Sequence, residues 1–403
     1  MKFKSSFRNL SITRFLEEID QQNFFWVAKR LSGNDTGLTG SHQAGIYFPR
    51  VFFNVATPEI CTDKRYNPDT YITECYFPAV DFSVDKLRAI YYNSKYFPEK
   101  GLKKKYDEFR LTCWQGSKNP VQDQENTGSI FVFAVKRISG KLVAVGWVGA
   151  SVDEENIIES WLGKEVEPCR FYMRLHNAPD LELNKLELPA GWFEKFPSGN
   201  EIFELVKKII PRVGWKKSID DLLIKRREIE FQIFEKIEKA DVLPRVSQGF
   251  LTVEDFIKLA HSVSNRRKSR TGTSLELNLA SIFSDEQLIF EPQAVTENRK
   301  KPDFLFPSTK AYRDPRFPSL KLNMMASKTC CKDRWRQVIN EADRISVKHL
   351  FTLQQGVSTH QLQEMKDNNI ELVVPKTHLS SFAKECRLEL LTLEGFVDRK
   401  SWS

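Results

Sequence analysis

Lys300-Lys301-Pro302-Asp303-Phe304-Leu305-Phe306 begins in charge, passes through a Pro-Asp pair and ends in three apolar residues. That is the pattern of an aspartate at the mouth of a buried strand. A second strand is expected over residues 322–328 and ends on Lys328. By the two-residue period of a strand, Leu322, Met324, Ala326 and Lys328 share one face, so the lysine stands at the strand end among small and apolar neighbours. A helix is expected over residues 333–345. On it Arg334 and Glu341 lie two turns apart on one stripe, while Trp335, Ile339 and Ala342 face a core. Asp303, Lys328 and Glu341 are together what a magnesium-dependent phosphodiesterase uses. Carboxylate oxygens hold the hard cation, and a positioned ammonium orients the attacking water and offsets charge on the phosphate. The plainer alternative is three ordinary solvated side chains, since Pro-Asp pairs, lysines and glutamates are common.

Strands expected over residues 303–306, 349–353 and 370–375 join the strand and helix above into a mixed sheet flanked by helices. Upstream, apolar residues recur at helical spacing over residues 219–240, 251–263 and 274–283. The amino-terminal half reads differently. Residues 24–28, 45–48, 51–55, 129–135 and 142–148 are aromatic or β-branched runs, separated by turn signals such as Asn34-Asp35-Thr36-Gly37 and Ile138-Ser139-Gly140-Lys141. A β-rich barrel or sandwich with a few short helices is expected there. The polar, proline-containing stretch from Asn177 to Gly191 breaks the strand rhythm. The expected organisation is a β-rich domain over residues 1–178, a linker over 179–195 and an α/β domain over 196–403, an α+β chain overall.

With 41% apolar and 28% charged residues in 403, the chain has the composition of a soluble protein with two ordinary cores. No apolar run approaches a membrane span. Met1-Lys2-Phe3-Lys4-Ser5-Ser6 lacks the apolar centre of a signal peptide. Seven scattered cysteines without a Cys-x-x-Cys pair argue against a disulfide framework or a zinc site. A reducing cytoplasm is the expected location. The net charge of +8 is modest, but it clusters. Residues 100–105 carry four lysines, and Arg266-Arg267-Lys268-Ser269-Arg270 is a second patch. Each is either a phosphate-backbone contact or a solvated face.

Several longer stretches carry a resemblance. Residues 264–276, 300–307 and Lys328-Thr329-Cys330-Cys331-Lys332-Asp333-Arg334-Trp335-Arg336-Gln337, with Asn340-Glu341-Ala342-Asp343, residues 351–354 and residues 372–375, are similar to the EcoRII restriction endonucleases. The likeness continues through residues 29–37, 39–47, 88–97 and 122–128, so it covers nearly the whole chain. It implies a carboxy-terminal restriction-endonuclease-like α/β domain and an amino-terminal effector-DNA-binding pseudo-barrel.

The resemblance further implies an active-site triad of Asp303, Lys328 and Glu341, with Mg²⁺ on Asp303 and Glu341, and Glu276 as a further acidic position or else a helix-surface residue. Lys332, Asp333 and Arg334, with Arg336 beside them, match the segment that reads outer CC/GG pairs. That chemistry suits guanine O6 and N7 and cytosine N4, although Asp333 also suits a helix N-cap. Arg227 and Phe231, four apart on one helical face, match a pocket for extruded central nucleotides, or else are a surface arginine beside a core phenylalanine. Phe231 stands where relatives have tyrosine. In the amino-terminal half His42, Tyr47, Arg88, Glu108 and Arg110 match DNA-contacting positions. Tyr106 and Phe109 replace basic residues, and the loop over residues 98–105 is longer.

The activity implied by this resemblance is Mg²⁺-dependent cleavage of double-stranded DNA at CC-x-GG, with A/T favoured at the centre, by a homodimer in a prokaryotic cytoplasm. Effector copies of the site would bind the amino-terminal domain and relieve autoinhibition. A cognate cytosine methyltransferase would be present in the cell without direct contact, and no membrane is involved. Two other readings share most of these residues: a sequence-specific DNA-binding protein with an inactive nuclease fold, and a structure-selective repair nuclease that does not need the base readers.

Overall fold

The computed structural model describes residues 2–40, 45–97, 107–174 and 188–399. His42, the lysine-rich loop over residues 98–105 and linker residues 179–187 lie outside them. The chain divides into two compact units, Met1–Asn177 with Gln355–His360 and Ser380–Cys386, and Ala178–Gln354 with Gln361–Leu379 and Arg387–Ser403.

Among the described residues the first unit is built on ten strands: β1 (Phe25–Arg30), β2 (Ile46–Tyr47), β3 (Asp69–Ile72), β4 (Glu74–Phe77), β5 (Phe82–Val84), β6 (Leu87–Tyr92), β7 (Glu108–Thr112), β8 (Ile130–Ile138), β9 (Lys141–Val148) and β10 (Tyr172–Met173). They form a six-stranded sheet, β10-β1-β8-β9-β4-β5, and a four-stranded sheet, β2-β7-β6-β3. Strand β8 shows why the run reads as continuously apolar. Phe131, Phe133 and Val135 enter one core, while Ile130, Val132 and Ala134 enter another on the opposite face. Both faces of the strand are covered, so no polar alternation survives.

Residues 51–55, expected as a strand, are instead part of the helix Arg50–Ala56. Pro49 precedes it with no N–H to lose, and Phe52, Phe53 and Ala56 are buried at helical rather than alternating spacing.

The second unit carries the mixed sheet β11 (Glu291–Pro292), β12 (Phe304–Phe306), β13 (Asn323–Lys328), β14 (Lys348–Thr352), β15 (Ile370–Val374) and β16 (Leu391–Thr392), in that spatial order. The first three strands pair antiparallel, and β13 to β16 run parallel. Phe283, Phe304, Phe306, Met325, Phe351 and Phe396 fill the core against this sheet. A mixed α+β architecture was expected, and this is one.

Two helix assignments change. Residues 251–263 and 274–283, read as separate helices, belong to one helix of 33 residues, Val253–Asp285, which packs on the 30-residue helix Ile219–Gln248. The gap in apolar periodicity is filled by charge. Arg266 pairs with Asp241 at 2.8 Å and Arg267 with Glu238 at 2.6 Å. Ion pairs therefore replace the apolar stripe, and this basic patch faces the neighbouring helix through those two arginines.

The helix expected over residues 333–345 is only a 3₁₀ segment, Arg334–Val338, and Glu341 lies beyond it in a bend. Asp333 adopts φ 60°, a left-handed conformation that starts no α-helix, and Ala342 at φ 48° breaks the chain again. Arg334 and Glu341 therefore do not share a helical stripe. Trp335 and Ala342 are nevertheless buried, as their apolar character requires, while Ile339 is only partly so.

Candidate active site

The antiparallel pairing of β12 with β13 sets Phe304 opposite Met325, so Asp303, one residue before β12, falls beside the carboxy-terminal end of β13. Asp303 Oδ2 accepts from the Ser327 amide at 2.7 Å and from Ser327 Oγ at 3.1 Å, and Lys328 Nζ stands 3.6 Å from the same oxygen. A short apolar strand thus delivers the carboxylate, and the end of the next strand delivers the ammonium. Parallel pairing with β14 fixes Lys328 opposite Thr352.

Glu276 reaches this point from the long helix. Gln293 Nε2 bridges it to the aspartate, donating to Glu276 Oε2 at 3.1 Å and to Asp303 Oδ1 at 3.2 Å. Burial, reinforced by the Asp303 charge, raises the Glu276 carboxyl above its ordinary range. Glu341 is perturbed further. Burial pushes it up to about 7, with Asp303 adding to the rise and Lys328, Lys300 and Lys348 opposing it. Among the described residues its Oε2 is buried without a hydrogen-bond partner. Lys300 Nζ donates to the Asn340 carbonyl at 2.5 Å and holds the adjoining bend.

Asp303, Lys328, Glu276 and Glu341 are therefore electrostatically one group. Gln293 and Ser327 belong to it too and were not picked out from the sequence. Gln293 sits at φ 51° just after the two-residue strand β11, and nothing in a Pro-Gln pair announces such a bridge. Among the described residues no cluster of three or more His, Cys, Asp or Glu side chains is preformed around a single metal position. Two carboxylates with an open remainder suit a divalent cation that keeps waters and takes its other ligands from substrate. The orphaned Glu341 oxygen fits the same picture, because a buried acceptor without a partner is costly.

The segment after β13 folds back as a tight turn. Lys332 is mostly buried, while Asp333 and Arg334 are half-buried. Arg336 is exposed, its guanidinium 4.6 Å from the Trp335 ring centroid and 2.9 Å from Glu364. Arg227 is buried and turned into the helix pair, donating to Ser274 Oγ at 2.8 Å. Phe231 is half-buried, with the Arg270 guanidinium 5.0 Å from its ring centroid. Arg227 and Phe231 do lie on one helix, one turn apart.

In the first unit, register pairing sets Tyr47 beside Arg110. Arg110 donates to Glu108 at 2.7 Å and to the Gly45 carbonyl at 3.0 Å. These three side chains line a cavity of about 350 Å³ with Lys29, Arg30 and Arg170. Arg88 does not line it; it donates to Asp69 at 2.6 Å on the β3 side of the sheet. Lys29, which adjoins Arg30 in the resembling stretch 29–37, and Arg170 were not singled out as site residues from the sequence.

Comparison with known proteins agrees with this architecture. Residues 20–177 match the family described as "Restriction endonuclease EcoRII, N-terminal", and residues 234–397 match "EcoRII C terminal". The chain is 41% identical over 398 residues to the type II restriction enzyme EcoRII of Escherichia coli, covering 95% of each. Among solved structures it is similar to restriction endonuclease PspGI in complex with substrate DNA, at 18% identity over 51% of this chain and 92% of that one, with a TM-score of 0.43. Metal-depleted Ecl18kI in complex with uncleaved, modified DNA matches at 21% identity over 49% and 76%, with a TM-score of 0.40. Both halves match their family models and the identity to a curated relative runs end to end, so the chain belongs to the EcoRII family of type II restriction endonucleases, a class of site-specific deoxyribonucleases.

Proposed function

We propose that this chain hydrolyses both strands of DNA at CC-x-GG, with A or T at the centre, using Mg²⁺ held by Asp303 and Glu341. The observation that carries the reading is the meeting of Asp303 and Lys328 at 3.6 Å with the partnerless, buried oxygen of Glu341. When bound, the cation would supply Lewis-acid polarisation of the phosphate and lower the pKa of a water ligand. Lys328 Nζ orients the attacking water by hydrogen bonding and offsets charge on the phosphate. Ser327 and Gln293 fix the direction of the Asp303 carboxylate, so little reorganisation is needed as DNA arrives. Attack at phosphorus breaks the bond to the 3′ oxygen and leaves a 5′-phosphate end. Glu276, held through Gln293, is a further acidic group of this site.

Lys332, Asp333, Arg334 and Arg336 are proposed to read and grip the outer base pairs, and Arg227 and Phe231 to receive extruded central nucleotides. Effector copies of the site would bind the amino-terminal unit through His42, Tyr47, Arg88, Glu108 and Arg110, relieving autoinhibition. A cognate cytosine methyltransferase would protect the host genome.

A homodimer is proposed because each chain carries one such site and a duplex has two strands related by a two-fold axis. The tip of the paired long helices supports this. Leu243, Val246, Leu251, Val253, Phe256 and Ile257 are all exposed there. Over residues 243–260, Arg245 and Lys258 balance Glu254 and Asp255. A neutral, apolar tip suits a second copy of the chain rather than phosphate. The direct test is digestion of unmethylated plasmid across a Mg²⁺ titration. Cutting that needs the cation and stops with chelator is expected; cation-independent cutting, or none, refutes the proposal.

A further inference from the structure

We propose that Gln354 is a positioning residue that fixes the base-reading turn to the catalytic strand, so that its loss erodes sequence discrimination more than it slows cleavage. The inference rests on the assignment of Lys332, Asp333 and Arg334 as base readers.

Gln354 lies just past β14 and is fully buried. Its carboxamide oxygen accepts from the Cys331 amide and from the Lys332 amide, each at 3.0 Å, and from Cys330 Sγ at 3.0 Å. Cys331 Sγ lies 3.6 Å from the same atom. One acceptor thus gathers consecutive donors from a turn more than twenty residues away in sequence. A carbonyl oxygen has two lone pairs to offer, and two adjacent backbone N–H groups pointing at one oxygen define a tight local conformation.

Thr352 adds a second tie. Its hydroxyl donates to the Thr329 carbonyl at 3.3 Å and accepts from the Gln354 amide at 3.2 Å. Beyond the clamp, the Arg334 amide turns back on the Cys331 and Lys332 carbonyls, and Asp333 is held at φ 60°. The left-handed conformation at a non-glycine residue is sterically costly. It persists where its surroundings over-determine it, and the Gln354 oxygen is such a determinant.

Lys328, by contrast, is placed by the β13–β14 ladder itself, opposite Thr352. The two halves of the site are therefore held by different means: the ladder holds the lysine, and Gln354 holds the readers. Removing the acceptor leaves the Cys331 and Lys332 amides without the oxygen they share, and buried amides seek a new partner. The turn must then re-form, and bidentate contacts to bases tolerate little displacement.

The test compares cleavage of a duplex bearing the mapped target with one in which an outer base pair is exchanged. In Gln354→Met, similar in length but without the acceptor, the ratio of kcat/KM values is expected to narrow about tenfold, the worth of one weakened bidentate contact. The kcat on saturating target should stay within about threefold of wild type. Gln354→Glu keeps an oxygen at the same reach and should restore most of the ratio, which a purely structural defect would not do. Arg334→Ala separates the two layers of the inference. If it narrows the ratio and folded Gln354→Met does not, the positioning role is overturned. If Arg334→Ala leaves the ratio unchanged, the base-reading assignment fails and the inference with it. Should Gln354→Met not fold, hydrogen exchange in the wild-type protein decides. Slow exchange at the Cys331 and Lys332 amides is expected, and exchange as fast as in an open loop refutes the clamp.

Discussion

Lys328 is the residue on which the proposed chemistry turns. It sits at the end of a buried strand, 3.6 Å from an aspartate oxygen already fixed by two donors from Ser327. Lys328→Ala removes the ammonium without disturbing the sheet, since the ladder bonds are backbone. Cleavage is expected to fall at least about a hundredfold, the usual cost of deleting one preorganised electrostatic group. Sequence-specific binding, measured by gel shift, should persist, and cleavage near wild-type rate would remove Lys328 from the chemistry. Asp303 and Lys328 were legible because strand ends are marked by a change from apolar to charged residues. Gln293 was not, because a bridge between two carboxylates depends on three segments meeting, and single-residue chemistry gives no hint of it.

At the scale of elements, β14 and β15 carry an acid-sensitive contact. His349, beside β15 in the register, pairs with Glu371 at 3.2 Å, and Arg399 reaches the same carboxylate at 2.6 Å. The hydrogen bond from His349, with help from Arg399 and against the cost of burial, draws the Glu371 carboxyl down to about 2. Its folded value lies below its unfolded one. The contact therefore adds stability above the ordinary glutamate range, and that stability is lost as pH falls toward about 2. Denaturant titrations at about pH 6 and about pH 3 should show a larger loss in wild type than in Glu371→Gln. Equal losses would mean that the contact contributes nothing.

Four strands of this sheet, β12 to β15, were readable from apolar runs bounded by charge and proline, whereas the two-residue strands β11 and β16 were not. The 3₁₀ turn after β13 was not. Residues 333–345 have helical spacing of Trp335, Ile339 and Ala342, but the left-handed Asp333 and the Gln354 oxygen override it, and a local pattern cannot register a clamp from a distant strand. The long Val253–Asp285 helix failed in the opposite sense. Its middle lacks apolar periodicity because Arg266 and Arg267 pack as ion pairs against Asp241 and Glu238. The exposed tip of the same helix pair makes its own prediction. The chain should sediment as a dimer, and Phe256→Glu should shift it toward monomer at micromolar concentration, because a charge is costly in an apolar contact. A dimer that survives the change would place the interface elsewhere, and a monomeric wild type would refute the homodimer.

For the molecule as a whole, the chain has two compact units and its two halves match the two EcoRII family models, and the proposal gives the units different tasks. A plasmid with one site should be cut slowly, and a short duplex carrying the same site should speed it by about tenfold, a coupling of ordinary allosteric size. Arg110→Ala should weaken that stimulation and leave the unstimulated rate unchanged, because Arg110 touches Glu108 and Gly45 in the first unit. A rate indifferent to added duplex would argue against effector control. The two-unit plan was legible from the switch between strand-like and helix-like periodicity. The carboxy-terminal segments Gln355–His360 and Ser380–Cys386 that group with the first unit were not, since loops of ordinary composition carry no label for the unit they join.

The proposed function turns on site-specific cleavage by the group of Asp303, Lys328 and Glu341. Digestion of unmethylated plasmid with Mg²⁺, with every end mapped by sequencing and Lys328→Ala run alongside, tests it most directly. Breaks confined to CC-x-GG, bearing 5′-phosphates and absent from the variant, are expected. Breaks scattered without regard to sequence, or identical breaks from the variant, would contradict it.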